Sequence, residues 1–216
     1  MALSKLRSES IDLTDDFAFT GTVTGAGSNS GFRFIKKVNI STTSAVQDFT
    51  NLFSADYNFY KLIFDITGDD TSDTDTSHSF QYLKASDGTV DTTADIDYAF
   101  RGIDSSNASR NMGASRNNRS HFNFMLNTVQ DDHRANYEFG IYNPFNALHT
   151  VVQANGAYSV NSGTDATSFH GCAIRHNTTS YSGMRLIIVA DSNTSTTPDV
   201  SASATGTLLV YGMAES

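Results

Sequence analysis

Three residues near position 170 carry side chains that could bind a soft transition metal. His170, Cys172 and His176 share one parity of a predicted strand, so their side chains would point to the same face. At a rise of about 3.3 Å per residue, Cys172 and His176 are about 13 Å apart along a straight strand. One ion cannot bind all three residues at that spacing. We therefore expect a core cysteine with histidines near the strand ends, and no bound metal.

A second candidate metal site is the acidic segment at residues 68–77. It contains Asp69, Asp70, Asp73 and Asp75, whose carboxylate oxygens are suitable ligands for calcium. The segment lacks the glycine at the sixth position and the glutamate at the twelfth that an EF-hand loop requires. We therefore expect a solvated hairpin loop here.

A third polar segment, residues 101–120, is predicted to be a long loop that carries positive charge. Its arginines are Arg101, Arg110, Arg116 and Arg119. Planar guanidinium groups recognise anions and acidic sugars, and they also form contacts between subunits, for example with the acidic loop of a neighbour. Residues 102–120 contain no aromatic side chain that could stack on a sugar, which favours the subunit contact.

Aromatic residues offer a further way to bind a ligand. Tyrosines near predicted loop edges could stack on a sugar, although packing at the rim of a sandwich is the more ordinary role. These tyrosines are Tyr57, Tyr142, Tyr158 and Tyr181.

Catalytic motifs are missing from the sequence. It contains no G-x-S-x-G elbow, no phosphate-binding G-x-x-x-x-G-K-[ST] loop and no H-E-x-x-H pair. A pair of carboxylates for glycoside hydrolysis stays open, because the fold sets their spacing. We expect a protein that is not an enzyme and that needs no cofactor.

The composition favours strands over helices as the elements that position these residues. The 216 residues include 27 Ser, 25 Thr and 20 Asp but only 3 Glu. Ser, Thr and Asp side chains hydrogen-bond to nearby backbone and compete with helix formation, whereas Glu favours helices. The sequence therefore predicts an all-β protein.

About eleven short apolar segments, many of them with period two, follow residue 31. This pattern is typical of a sandwich or barrel, and we expect a single jelly-roll-like β-sandwich at residues 31–216. Both faces of residues 59–67 are apolar, which predicts a central strand. The segments are 32–40, 46–52, 59–67, 80–82, 98–100, 122–126, 137–141, 150–153, 169–176, 184–190 and 205–213.

Residues 1–30 differ from this body and are predicted to form an extended N-terminal attachment arm with a hinge. Phe17, Phe19 and Val23 alternate with small and polar residues, and a Gly- and Ser-rich stretch follows them. A lone strand is unstable, so its apolar face needs another surface. We expect these three side chains to dock the arm.

Charge restricts the partners of the chain. The net charge of −9 argues against nucleic acid, which requires a basic footprint, and no apolar stretch is long enough to span a membrane. We expect no secretion signal either, because the first residues have no apolar core. A single cysteine cannot form an intrachain disulfide, so packing or association must hold the fold.

Three segments resemble short virion proteins of tailed phages, particularly those of marine and cyanobacterial hosts. They are residues 8–27 (SESIDLTDDFAFTGTVTGAG), 54–65 (SADYNFYKLIFD) and 205–212 (TGTLLVYG). The resemblance implies a virion location, an attachment arm followed by an outward β-sandwich, and no defined catalytic residue. It fits the absence of catalytic motifs and the uncovered face of the arm.

Two virion roles and one other class stay open. A tail-fibre or receptor-binding subunit would dock on the tail and touch the host surface, where a glycan is a candidate receptor, whereas a capsid decoration protein would lie across head subunits. We favour the tail-fibre role, although the lack of a long shaft counts toward decoration, and a carbohydrate-binding module or glycan hydrolase is the third alternative. The expected partners are other virion proteins of tail or capsid, and copies of the chain itself in a closed trimer.

Overall fold

The computed structural model is built from strands. It describes residues 31–42, 45–70, 76–104, 111–123, 133–160, 165–190, 198 and 202–213. Within these ranges the regular elements are eleven strands, and none is a helix that could cross a membrane. The described residues belong to one compact unit, residues 30–215.

All the strand pairs are antiparallel and form two sheets. The large sheet has eight strands in the order β1-β11-β3-β7-β8-β9-β5-β6, and the small sheet has three in the order β2-β10-β4. The strands are β1 Arg33–Thr42, β2 Val46–Phe49, β3 Phe59–Asp70, β4 Thr76–Lys84, β5 Ile96–Asp104, β6 Asn111–Arg119, β7 His133–Tyr142, β8 Thr150–Val160, β9 Asp165–Arg175, β10 Tyr181–Ala190 and β11 Ala202–Met213.

The sheets pack as a sandwich around a layer of aromatic rings. Phe64 of the large sheet lies 5.8 Å from Phe49 and 5.3 Å from Phe80 of the small sheet, between ring centroids. Phe80 lies 4.9 Å from Phe139 of β7. These four rings are buried, and β3 occupies an interior position between β11 and β7. The predictions of an all-β sandwich and of a central strand at residues 59–67 are confirmed, while a jelly-roll connectivity stays a prediction.

The prediction of a loop at residues 101–120 is wrong for most of these residues. β5 continues to Asp104, and Asn111–Arg119 forms β6, which pairs with β5. Among the described strands β6 pairs with β5 alone and lies at an edge of the sheet, so it does not need a strongly apolar sequence. The predicted acidic loop is also shorter than expected, because β3 extends to Asp70 and β4 begins at Thr76.

Of the predicted strand at 122–126, Phe122 makes an isolated bridge to Phe80, and residues 124–126 lie outside the described ranges.

A side chain closes part of the outer edge of β1. The Gln47 amide donates to the Asn39 carbonyl oxygen at 3.0 Å, and the Ser41 amide donates to Gln47 Oε1 at 3.1 Å. These are the two hydrogen bonds that a neighbouring strand would otherwise make with this stretch of β1.

One buried hydrogen bond crosses between the sheets. His78 of β4 lies with its Nδ1 2.7 Å from the hydroxyl oxygen of Tyr137 of β7, and both side chains are buried. Burial lowers the pKa of His78 from 6.5 to about 4, because the surroundings disfavour its charged form. The folded protein therefore holds this imidazole neutral throughout the mildly acidic range.

His78 should make the protein less stable in mild acid. Below about pH 6.5 the unfolded chain protonates this imidazole, whereas the folded chain does so only near pH 4. The free energy of unfolding therefore decreases as the pH is lowered from 6.5 to 4. We expect protonation of His78 in the unfolded chain to lower the free energy of unfolding by about 2 kcal/mol when the pH is lowered from 7 to 5. Urea denaturation at both pH values should show a smaller pH dependence in His78→Gln than in the wild type. Equal pH dependence in the two proteins would contradict the prediction.

Candidate functional site

The outer face of the large sheet carries the exposed side chains that could meet a partner. Along each central strand, alternate residues point into the core and outward, as the buried and exposed positions of β7 and β9 illustrate. Outward residues of neighbouring strands therefore form rows across the sheet, and the pairing register identifies the members of each row.

One such row is apolar across five strands. Its successive register partners are Met213, Phe59, Tyr142, Val151 and Ile174. Asp97 of β5 is the next partner and ends the apolar run. We call this row, together with Phe32, Phe34 and Tyr211 beside it, the apolar band.

Part of the band consists of contacting aromatic rings, some of them partly open to solvent. Phe59 lies 4.4 Å from Tyr142 and 5.6 Å from Phe32, and Phe34 lies 5.6 Å from Tyr211, between ring centroids. Phe34 and Phe32 are 57% and 48% exposed. Large apolar side chains that form a contiguous exposed group mark an interaction surface more often than singly scattered ones do.

A polar row lies farther along the same face. Asn155, His170 and Arg101 are register partners on β8, β9 and β5, and His170 Nδ1 lies 2.6 Å from Asn155 Oδ1. Arg101 and His170 line a shallow depression of about 400 Å³, together with the exposed Ile103. Arg101, predicted as a contact residue, thus lies beside groups that could hydrogen-bond to an anion or a sugar.

The structure does not bring together His170 and Cys172 of β9 and His176, which follows that strand, as ligands of one metal ion. His176 Nε2 lies 3.0 Å from Asp97 Oδ2, whereas His170 contacts Asn155. Hydrogen bonds from the Asn118 amide and from His176 lower the pKa of Asp97. In the part of the chain that the structure describes, no three His, Cys, Asp or Glu side chains are placed to share an ion.

The expectation of a core cysteine is wrong. Cys172 is exposed, because the opposite parity of β9, which includes Phe169 and Ala173, faces the core. The prediction that His170, Cys172 and His176 share a parity holds, but that parity points outward.

The other predicted contact residues are spread over the fold. Asp69 and Asp70 lie at the end of β3, paired with Ser203 and Ala202, and belong to a strand rather than to the predicted loop. Arg116 and Arg119 lie on β6, opposite Tyr98 and Ile96. Phe17, Phe19, Val23, Asp73, Asp75 and Arg110 lie outside the described residues.

Within one chain, β3 and β5 are separated by three strands, so Asp69 and Asp70 are far from Arg101. A contact between these acidic and basic segments of neighbouring subunits stays a prediction.

Two of the four candidate sugar-stacking tyrosines are buried. Tyr158 faces the core from β8 and Tyr181 is fully covered at the start of β10, so neither can stack on a sugar from solvent. Tyr142 is exposed within the apolar band, and Tyr57 is half-buried and packs over Gly212. Of the four, Tyr142 has the exposure that a binding role requires.

A buried ionic cluster surrounds Arg175 at the end of β9. Its Nη2 lies 2.7 Å from Asp91 Oδ2 and 2.9 Å from Asp95 Oδ1, and it donates to the Thr93 carbonyl oxygen at 3.2 Å. The Tyr181 ring lies 5.5 Å from the guanidinium carbon. The cluster thus joins β9, the segment between β4 and β5, and β10.

Hydrogen bonds keep the central carboxylate of this cluster ionised. Burial opposes the charge on Asp91, but hydrogen bonds from Thr93 and Tyr181 and the charge of Arg175 outweigh it and lower the pKa of Asp91. The Tyr181 hydroxyl lies 2.9 Å from Asp91 Oδ2, and burial raises the pKa of Tyr181 above its ordinary value.

Perturbed pKa values and paired charges are common in active sites, but this cluster is closed to substrates. The Arg175 side chain is 0% exposed and the Asp91 side chain 1%. We therefore interpret the cluster as a structural tie between strands. Sequence reasoning missed it because Asp91 and Arg175 are far apart in the chain and neither belongs to a recognisable motif.

Comparisons with known proteins give no family assignment. No family model matches the chain, and no curated protein is found as a relative.

Removing the charge of Arg175 should strongly destabilise the protein. Arg175→Met leaves the buried Asp91 carboxylate without its cation, and we expect a loss of about 3–5 kcal/mol of unfolding free energy in urea denaturation at pH 7. The matched control, Lys61→Met, breaks the partly exposed Lys61–Glu138 ion pair and should cost less than about 1 kcal/mol. Similar losses in the two variants would show that the buried cluster is not a structural tie.

Proposed function

We propose that this chain is a non-enzymatic structural protein of a tailed-phage virion, of the tail-fibre or receptor-binding type. Residues 1–30 dock it on the particle and the β-sandwich projects outward. The observation that supports a structural role is the placement of the exposed polar and apolar groups. They lie in rows across an open sheet face, whereas the paired side chains of Arg175 and Asp91 are sealed from solvent.

A broad face of this kind suits contact with another macromolecule. The apolar band crosses several strands and provides a surface that side-chain packing can recognise. The row of Asn155, His170 and Arg101 supplies hydrogen-bonding groups that suit a host-surface glycan. A small-molecule enzyme would instead be expected to place its titratable groups in an accessible, enclosed pocket.

Capsid decoration is the second candidate, and the same face favours it. An eight-stranded sheet with an exposed apolar band could lie flat against capsid subunits without any shaft. Electron microscopy of virions that carry a labelled copy of the chain distinguishes the two roles. A label on the tail supports the receptor-binding role, and a label over the head supports decoration.

Docking through the arm has a direct test in particle assembly. Deletion of residues 2–27 should abolish incorporation of the chain into particles, because it removes the segment that contains Phe17, Phe19 and Val23. A finer variant replaces these three residues with serine and should reduce incorporation at least tenfold, by loss of roughly 1.5–3 kcal/mol for each buried apolar side chain.

The matched control changes the opposite parity of the same segment. Ala18→Ser, Thr20→Ser and Thr22→Ser together should leave incorporation unchanged, as quantified by immunoblot of purified particles. Normal incorporation of the chain that lacks residues 2–27 would refute docking through the arm.

A further inference from the structure

The shallow depression between β5 and β9 combines a cation, hydrogen-bonding groups and an apolar side chain on an exposed face. We propose that it binds an acidic sugar, with Arg101 on the carboxylate and with His170 and Ser168 on the ring hydroxyls. This inference rests on the proposed receptor-binding role and deepens it, because it names the class of glycan and the residues that hold it.

The depression has the size of a small-molecule site. Its volume is about 400 Å³, whereas such sites span roughly 300–1,000 Å³. Two outward rows of the sheet border it. Arg101 and His170 are register partners in one row, and Ile103 and Ser168 are register partners in the next. Strand pairing between β5 and β9 therefore fixes all four residues around one opening.

Arg101 gives the depression its preference for an anion. Its side chain is exposed on β5 and lines the opening. A guanidinium group presents N–H donors in one plane, and their spacing matches the two oxygens of a carboxylate. Hydrogen bonds between two charged groups are roughly twice as strong as those between neutral groups. A sugar that carries a carboxylate should therefore bind better than a neutral sugar.

His170 is held in a form that can accept a hydrogen bond from a sugar hydroxyl. Its Nδ1 lies 2.6 Å from Asn155 Oδ1. An amide oxygen only accepts, so Nδ1 carries the proton and Nε2 of the neutral ring is an acceptor. The exposed Ser168 adds a hydroxyl group that both donates and accepts. These two residues suit the hydroxyl groups of a sugar.

Ile103 supplies an apolar surface on the other side of Gly102 from Arg101. Its side chain is 59% exposed and lines the depression. The C–H groups of a sugar ring can pack on such a surface, which removes apolar area from water. An acidic segment of a neighbouring subunit would use Arg101 but would not need an acceptor and a hydroxyl beside it. The mixed lining therefore favours the sugar.

The first experiment follows amide chemical shifts of the ¹⁵N-labelled full chain at pH 7. The probes are the methyl glycosides of glucuronic, galacturonic and N-acetylneuraminic acid, each paired with its methyl ester, which keeps the ring and removes the charge. We expect at least one acid to shift the amides of residues 101–103 and 168–170, with a dissociation constant of about 1 mM. Its ester should bind at least tenfold more weakly, because it lacks the ion pair.

The second experiment separates the carboxylate contact from the ring contact. Arg101→Gln should weaken binding of the acid at least tenfold and leave the affinity for its ester unchanged. Ile103→Ser should weaken acid and ester by the same factor, because this side chain contacts the ring. Both residues are exposed, and circular dichroism verifies that each variant folds.

The matched control is Arg134→Gln. Arg134 is an exposed arginine of β7 on the same face, and β8 and β9 lie between β7 and β5. This variant should bind the acid as tightly as the wild type does.

Several outcomes would overturn the proposal. Absence of shifts at these amides with all three acids, up to their solubility limits, would reject a sugar site. Equal affinity of the wild type for acid and ester, or unchanged acid binding in Arg101→Gln, would reject recognition of the carboxylate. Binding of acetyl-Asp-Asp-amide as tightly as the best sugar acid would instead assign the depression to an acidic protein segment.

Failure of this site is distinguishable from failure of the proposed function. The titrations use the purified chain, whereas incorporation into particles tests docking through residues 2–27. A chain that enters particles normally but binds no acidic sugar would overturn this site alone. A chain that binds the sugar but is absent from virions would overturn the virion role alone.

Discussion

Burial of aromatic rings between the two sheets is the interaction on which the rest of the structure depends. The chain has one cysteine and hence no internal disulfide, so side-chain packing must hold the sheets together. Phe64 of the large sheet contacts the rings of Phe49 and Phe80 in the small sheet. Phe80 also contacts Phe139 of the large sheet. Because this layer already supplies the core, the outer face of the large sheet is free to vary with function, and its apolar residues need a separate explanation.

The parts of the fold that depend on burial were readable from the sequence, and those that depend on backbone pairing were not. Tyr60, Leu62, Phe64 and Ile66 alternate because one face of β3 is buried, so period two identified that strand. β6 pairs through its backbone at the edge of the sheet, and its polar residues carry no comparable signal. The sequence predicted the alternation on β9 but assigned the wrong set of alternate residues to the core. The buried set includes Arg175, a charged residue that is not expected at a buried position.

Functional surfaces were harder to predict than strands, for a geometric reason. Apart from Phe32, the residues of the apolar band come from β1, β3, β7, β8, β9 and β11, and the order of these strands in the sheet cannot be read from the order in the chain. Phe59, Tyr142 and Met213 each look like an ordinary aromatic or apolar residue at the end of a strand. Their significance comes from the register that aligns them in one row. The Arg175 cluster is hidden in the same way, since strand pairing brings Asp91 and Arg175 together.

The bidentate contact of Gln47 with β1 bears on whether a further strand can add to this edge of the sheet. An open edge strand can template an added strand, which is the first step of fibril growth. The Gln47 side chain occupies the Asn39 carbonyl and the Ser41 amide, so an incoming strand would first have to displace it. A single amide side chain in this way blocks the addition of a strand at this stretch of β1.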